Sequence, residues 1–172
     1  RHSLSKMSHL HFTSAEPHRR RVIQLGEQPE RVFNVGALGL DNIIGQPLLM
    51  RDDLERSLGI RLNKPLFAVT YHPATLSRSG AGPAIAALLG ALQQFPTASC
   101  VFSMANADPD GEVINRTIER FVADHAGRAV AVKSLGQQRY LSLMRHADCV
   151  VGNSSSGILE APALGVPTVN IG

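Results

Sequence analysis

The feature that most constrains this chain is an alternation of short apolar runs with longer helical segments. Leu66–Tyr71, Ser99–Met104, Ala129–Lys133, Cys149–Val151 and Thr168–Ile171 are rich in strand-forming residues. Between them, Pro83–Gln94, Val113–His125, Gln138–His146 and Gly157–Leu164 carry helical spacing. Strands that are apolar without strict alternation are buried on both faces. Strands parted by helices form βαβ units around a parallel sheet. The right-handed crossover rule then selects an open, doubly wound α/β sheet of Rossmann-like type, with helices on both faces. Earlier in the chain, Leu10–Thr13 and Arg31–Val35 read as strands. Glu16–Leu25 reads as a helix that tolerates Pro17 in its first turn. Asp41–Leu58 is mostly helical, interrupted at Gly45–Pro47. No internal repeat or low-complexity linker divides the chain, so one domain is expected.

Composition narrows the function classes. With 44% hydrophobic residues and a net charge of +3, the chain is a globular folder rather than a disordered one. No apolar run reaches the length of a membrane span, and the first twenty residues lack a signal-peptide core. Neither a membrane nor a nucleic-acid partner is expected. Aromatics are 5% with no Trp, and the basic run His18-Arg19-Arg20-Arg21 reads as a solvated helix face. Cys100 and Cys149 sit in apolar runs and read as buried free thiols of a cytoplasmic protein. The chain begins at Arg1 and stops at Gly172, directly after a strand-like run, which reads as a fragment of a longer protein.

In a parallel open sheet, ligands bind beyond the carboxyl ends of the strands. His72-Pro73, Asn106-Ala107-Asp108, Ser134-Leu135 and Gly152–Gly157 occupy those positions. The run Gly152-Asn153-Ser154-Ser155-Ser156-Gly157-Ile158-Leu159-Glu160 is the most informative. One of its serines caps the following helix, whose amides and dipole favour an anion. Gly157 and the small hydroxyls let a diphosphate approach the backbone. Glu160 is placed to accept hydrogen bonds from two vicinal hydroxyls, as on a ribose, or else to complete a capping box or face water. Pro162 falls inside this helix and should loosen or kink it. His72, held extended by Pro73, is suited to meet a phosphate or to move a proton, or is a loop histidine satisfied by backbone. No zinc-ligand spacing occurs, so no metal is expected. Asp108-Pro109-Asp110-Gly111 reads as a turn into a helix rather than a calcium loop. GxGxxG, P-loop and GxSxG patterns are absent, so no dinucleotide cofactor or serine nucleophile is expected.

Taken together, these residues resemble the hydrolysing UDP-N-acetylglucosamine 2-epimerases of sialic-acid-type sugar biosynthesis. The match rests on His2–Phe12, Arg21–Glu27, Val35-Gly36-Ala37 with Leu40-Asp41, Tyr71–Thr75, Asn106–Asp108, Val151–Glu160 and Gly165–Gly172. It runs through essentially the whole chain in order. The resemblance implies a two-domain enzyme of GT-B arrangement, with UDP-sugar held between two Rossmann-like domains. Residues 1–172 would be the second domain, with residues 1–40 as its lead-in, and the first domain would be absent. His72 would contact the diphosphate and support catalysis, and Asn106 would lie in the cleft. Leu135 would pack by the uracil, Ser154 and Ser155 would hold the phosphates, and Glu160 would bind the ribose. The family reaction is anti elimination of UDP to a 2-acetamidoglucal, then hydration to N-acetylmannosamine. It uses no cofactor, and a homo-oligomeric parent enzyme is expected. The family's acidic catalytic residues and a substrate-reaching arginine belong to the first domain, and a basic segment follows the position of Gly172. The isolated chain should therefore turn over little UDP-N-acetylglucosamine and bind UDP weakly. Two other readings of the same residues are a stand-alone nucleotide-sugar binding module and half of a GT-B glycosyltransferase.

Overall fold

The computed structural model describes residues 2–73, 80–105 and 109–171. They form two compact units, residues 1–45 and 46–172.

The first unit contains α1 (His2–Met7), β1 (His11–Thr13), α2 (Glu16–Gln24), β2 (Val32–Asn34) and α3 (Asp41–Gly45). β1 and β2 pair in parallel, His11 opposite Val32. They pair only with each other, so the first two expected strands form a separate two-stranded sheet. Periodicity had not marked α1, which buries no residue. Glu27 ties the unit together, accepting from Lys6 at 2.8 Å and lying 3.3 Å from His11 Nε2. In the basic run, His18, Arg20 and Arg21 are exposed as a solvated face should be. Arg19 differs: its Nε donates to the Val32 carbonyl at 2.9 Å and so clips α2 to β2.

The second unit begins with α4 (Arg51–Leu58) and continues through β3 (Leu66–Thr70), α5 (Ala81–Gln93), β4 (Ser99–Ser103) and α6 (Pro109–Asp124). β5 (Ala129–Val132), α7 (Gly136–His146), β6 (Cys149–Gly152), α8 (Ser156–Ala163) and β7 (Thr168–Asn170) complete it. Each expected strand and helix of this region is present within a few residues of its sequence bounds. The helix at α8 runs through Pro162 and stops one residue later. Its seventh residue being proline, α8 has little length left to lose.

The five strands are parallel, in the order β5-β4-β3-β6-β7. The sheet is Rossmann-like, because the chain steps outward from β3 to β5 and then returns to the other side of β3. All five residues of β3 are buried, as its continuous apolar run requires. Phe67 and Val69 face α5 and α6 in a core with Ile85, Leu88, Phe102, Ile114 and Ile118. Thr70 faces the other way, toward Tyr140 of α7. Cys100 lies wholly inside, and burial pushes its thiol up to about 11. It is a core residue and not a nucleophile. Cys149 is only partly covered, contrary to expectation, and burial raises it too. Among the described residues no helix is long and apolar enough to cross a membrane.

Candidate functional site

The strand order has one switch point, between β3 and β6, where successive connections diverge and leave a crevice at the carboxyl ends. The chain leaves β3 as Tyr71-His72-Pro73 and leaves β6 as Asn153-Ser154. The two exits are brought unusually close by Gly152. A Cβ at that position would fall 1.8 Å from the Thr70 carbonyl oxygen, and its φ of +139° disfavours any other residue. The Asn153 N–H then donates to the Thr70 carbonyl at 3.1 Å. The Asn153 side chain completes the junction. Its Oδ1 accepts from the His72 N–H at 2.8 Å, and its Nδ2 donates to the His72 carbonyl at 2.8 Å.

A cleft of about 370 Å³ opens here, lined among others by Thr70, His72, Lys133, Leu135, Tyr140 and Ser154. His72, Leu135 and Ser154 are therefore brought together as the sequence suggested. Leu135 is 4% exposed and supplies the apolar part of the wall. Asn106 lies outside the described residues. Hollows of larger volume exist, about 550 Å³ beside Glu112 and Arg116, and about 520 Å³ between Leu58 and Val130. The smaller cleft is preferred because it sits at the switch point and is lined by His72, one of whose ring nitrogens is unsatisfied among the described residues. His72 Nδ1 and Glu160 Oε2 are buried without a hydrogen-bond partner among the described residues. A polar atom left so costs free energy, on the order of 1–3 kcal/mol in mutational data. Such an atom is explained when a ligand completes it.

The serine loop differs in detail from its expected form. Ser155 is the N-cap of α8, yet its backbone is helical (φ −58°, ψ −21°) and its side chain makes no capping bond. Ser154 Oγ does that work, accepting from the Ser156 N–H at 3.4 Å. The amides of Gly157, Ile158 and Leu159 are already taken by the carbonyls of Ser154 and Ser155 at 3.0–3.1 Å. The loop therefore offers hydroxyls, more than free amides, to an anion. Those hydroxyls are ordered by a chain that sequence reading missed. Tyr140 OH lies 2.5 Å from Ser156 Oγ, which lies 2.7 Å from Ser154 Oγ. Thr70 Oγ1 meets Tyr140 at 3.5 Å. The exposed Ser155 hydroxyl stands outside that chain. Gly157 has a packing reason to be glycine: a Cβ there would come 2.8 Å from Thr168 Cγ2 on β7. Glu160 neither completes a capping box nor faces water with both oxygens, since Oε2 is buried.

Lys133 also escaped notice, although it ends the β5 run and brings a cation to the cleft. Position alone marked it. Asn153 was visible only as part of the serine run, because nothing local shows that its amide reaches a residue 81 positions away.

Comparison with known proteins bears on the family and the fold. A family model described as UDP-N-acetylglucosamine 2-epimerase matches residues 1–172. The chain belongs to that family. It is 44% identical, over its whole length, to a GDP/UDP-N,N'-diacetylbacillosamine 2-epimerase (hydrolyzing) of Campylobacter jejuni, and covers 45% of that protein. It is 40% identical to polysialic acid biosynthesis protein P7 of Escherichia coli, again over its whole length, and covers 44% of it. The chain thus spans under half the length of these relatives. Among solved structures, UDP-GlcNAc 2-epimerase from Neisseria meningitidis bound to UDP-GlcNAc shares the fold. There the TM-score is 0.74 at 17% identity, with 96% of this chain and 45% of that one covered.

Proposed function

We propose that this chain is the nucleotide-gripping part of a hydrolysing UDP-sugar 2-epimerase, converting UDP-N-acetylglucosamine and water to N-acetylmannosamine and UDP. The observation that carries the reading is the cleft at the switch point, where His72 and Ser154 meet and where His72 Nδ1 has no partner among the described residues; on α8, Glu160 Oε2 likewise has none. A UDP moiety supplies what each lacks. Its ribose hydroxyls donate to the Glu160 carboxylate, and its phosphates accept from Ser154, Ser155 and the His72 ring N–H. The uracil packs on Leu135, Asn106 borders the sugar, and Gly157 keeps α8 close to the sheet beneath. Binding the diphosphate through neutral hydroxyls and one histidine stabilises it as a leaving group while charge develops on it.

In the reaction, the C2 proton and the C1–O bond to UDP are lost in anti elimination. Water then adds across the resulting double bond of the 2-acetamidoglucal. The base that takes the C2 proton is assigned to a further Rossmann-like domain. Residues 1–172 serve as the UDP-binding domain, with residues 1–40 as its lead-in. The parent enzyme is assigned to the cytoplasm as a homo-oligomer. The similarity to the Campylobacter protein supports a diacetamido sugar as the alternative substrate.

Two measurements test this. Calorimetric titration of the chain with UDP should show weak, saturable binding that is weakened further, though still measurable, in His72→Ala and in Glu160→Ala. The parent enzyme, given UDP-N-acetylglucosamine in deuterated water, should release a 2-acetamido sugar deuterated at C2. A chain indifferent to UDP, or a parent that transfers its sugar to an acceptor with no free N-acetylmannosamine, would sink the assignment.

A further inference from the structure

We propose that Asn153 is a positioning residue for His72, and that it holds the imidazole in the cleft through the backbone of His72. This deepens the UDP-binding reading and rests on it for the effect on ligand, although the effect on His72 itself does not.

The parallel ladder of β3 and β6 has its last pair at Thr70 and Gly152. Beyond it β6 turns away into the serine loop, so His72 has no strand partner on that side. The Asn153 carboxamide takes the strand's place, one acceptor and one donor against the N–H and carbonyl of one residue, both at 2.8 Å. The amide orientation follows from chemistry, since a backbone N–H donates only and a carbonyl accepts only. Asn153 is itself fixed by its N–H bond to Thr70 at 3.1 Å and by the close approach at Gly152. Pro73 restricts the conformation of His72 from the other side. The His72 ring, by contrast, has a buried Nδ1 with no partner among the described residues. Its backbone is therefore what aims it.

No other residue type does the same. Aspartate keeps the acceptor but turns a second acceptor toward the His72 carbonyl. Glutamine is one methylene too long for a site set by two 2.8 Å bonds. Serine and alanine fall short.

The test uses the whole chain labelled at histidine, with Asn153→Asp and Asn153→Ser. In the free protein, both variants should move the imidazole resonances of His72, assigned by their loss in His72→Gln. Those of His125 and His146, in the same unit, should stay in place. UDP, used as the probe, should bind about tenfold more weakly to either variant, as expected for one charge-assisted contact misplaced. In a His72→Ala background the same Asn153 substitutions should cost less than about twofold, because the two residues act as one unit. Unmoved His72 resonances overturn the proposal, and so does an equal loss of UDP affinity with and without His72. If Asn153→Asp does not fold, Asn153→Ser decides. If the wild-type chain ignores UDP, the functional reading fails, and the His72 resonances alone judge this one.

Discussion

The two ends of the five-stranded sheet are built to opposite specifications. At the amino ends of β3 and β4, polar groups are paired. The Asp148 carboxylate accepts from the buried Leu66 N–H at 2.8 Å and from Lys64 at 3.1 Å. Ser99 Oγ accepts from the Asn63 N–H at 2.8 Å, and Glu55 accepts from the Leu62 N–H at 3.0 Å. The Leu66 N–H holds the Asp148 carboxyl below its ordinary range, and the Leu62 N–H does the same for Glu55. At the carboxyl end, His72 Nδ1 is buried without a partner among the described residues. One end uses its polar groups to hold strands together, and the other leaves a ring nitrogen without a protein partner among the described residues, as the proposed ligand site requires.

Four substitutions can break or sharpen that contrast. Gly152→Ala should do the most damage, because it joins a backbone overlap to an unfavourable φ at the junction of the two ends' strands. A loss of about 3 kcal/mol or more is expected in denaturant unfolding, with UDP binding abolished. Asp148→Ala should cost about 1–3 kcal/mol and leave UDP affinity intact, since it orphans a buried amide far from the cleft. Its pH dependence has a definite sign. A carboxyl whose folded pKa is depressed contributes fully above its unfolded value of 3.8, and the contribution fades as pH falls below that. The gap in Tm between wild type and Asp148→Ala should therefore close in acid. An equal or widening gap would contradict the pairing.

Glu160→Gln should behave in reverse. It replaces a carboxylate whose buried Oε2 has no partner among the described residues, so Tm should hold or rise, while UDP affinity falls about tenfold for want of a charged acceptor. A fall in Tm would mean that the carboxylate is structural. Tyr140→Phe should have the smallest effect, about 1 kcal/mol in stability and a few-fold in UDP affinity. It removes the hydroxyl's contacts with Ser156 and Thr70 but leaves the Ser154–Ser156 contact in place.

Much of this was legible in the residues. Continuous apolar runs at Leu66–Tyr71 and Ser99–Met104 announced strands buried on both faces, and strand ends pointed to His72, Leu135 and Ser154. Pairing partners were not legible. Leu10–Thr13 reads as a strand wherever it is placed, and only tertiary structure shows it joined to Val32–Asn34 alone. Residue type offered Ser154, Ser155 or Ser156 as the cap without choosing among them; Ser155 takes helical angles and the bond falls to Ser154. Asn153 and Tyr140 act across 81 and 16 residues, beyond the reach of any local period.

The central position of β3 has a consequence for how such a molecule can change over generations. One jaw of the proposed grip rises from the middle strand and the other from its immediate neighbour, whereas Lys133 and Leu135 follow the outermost strand. Mutational drift along that outer margin can retune which cargo is held while the distance between the jaws is inherited unaltered.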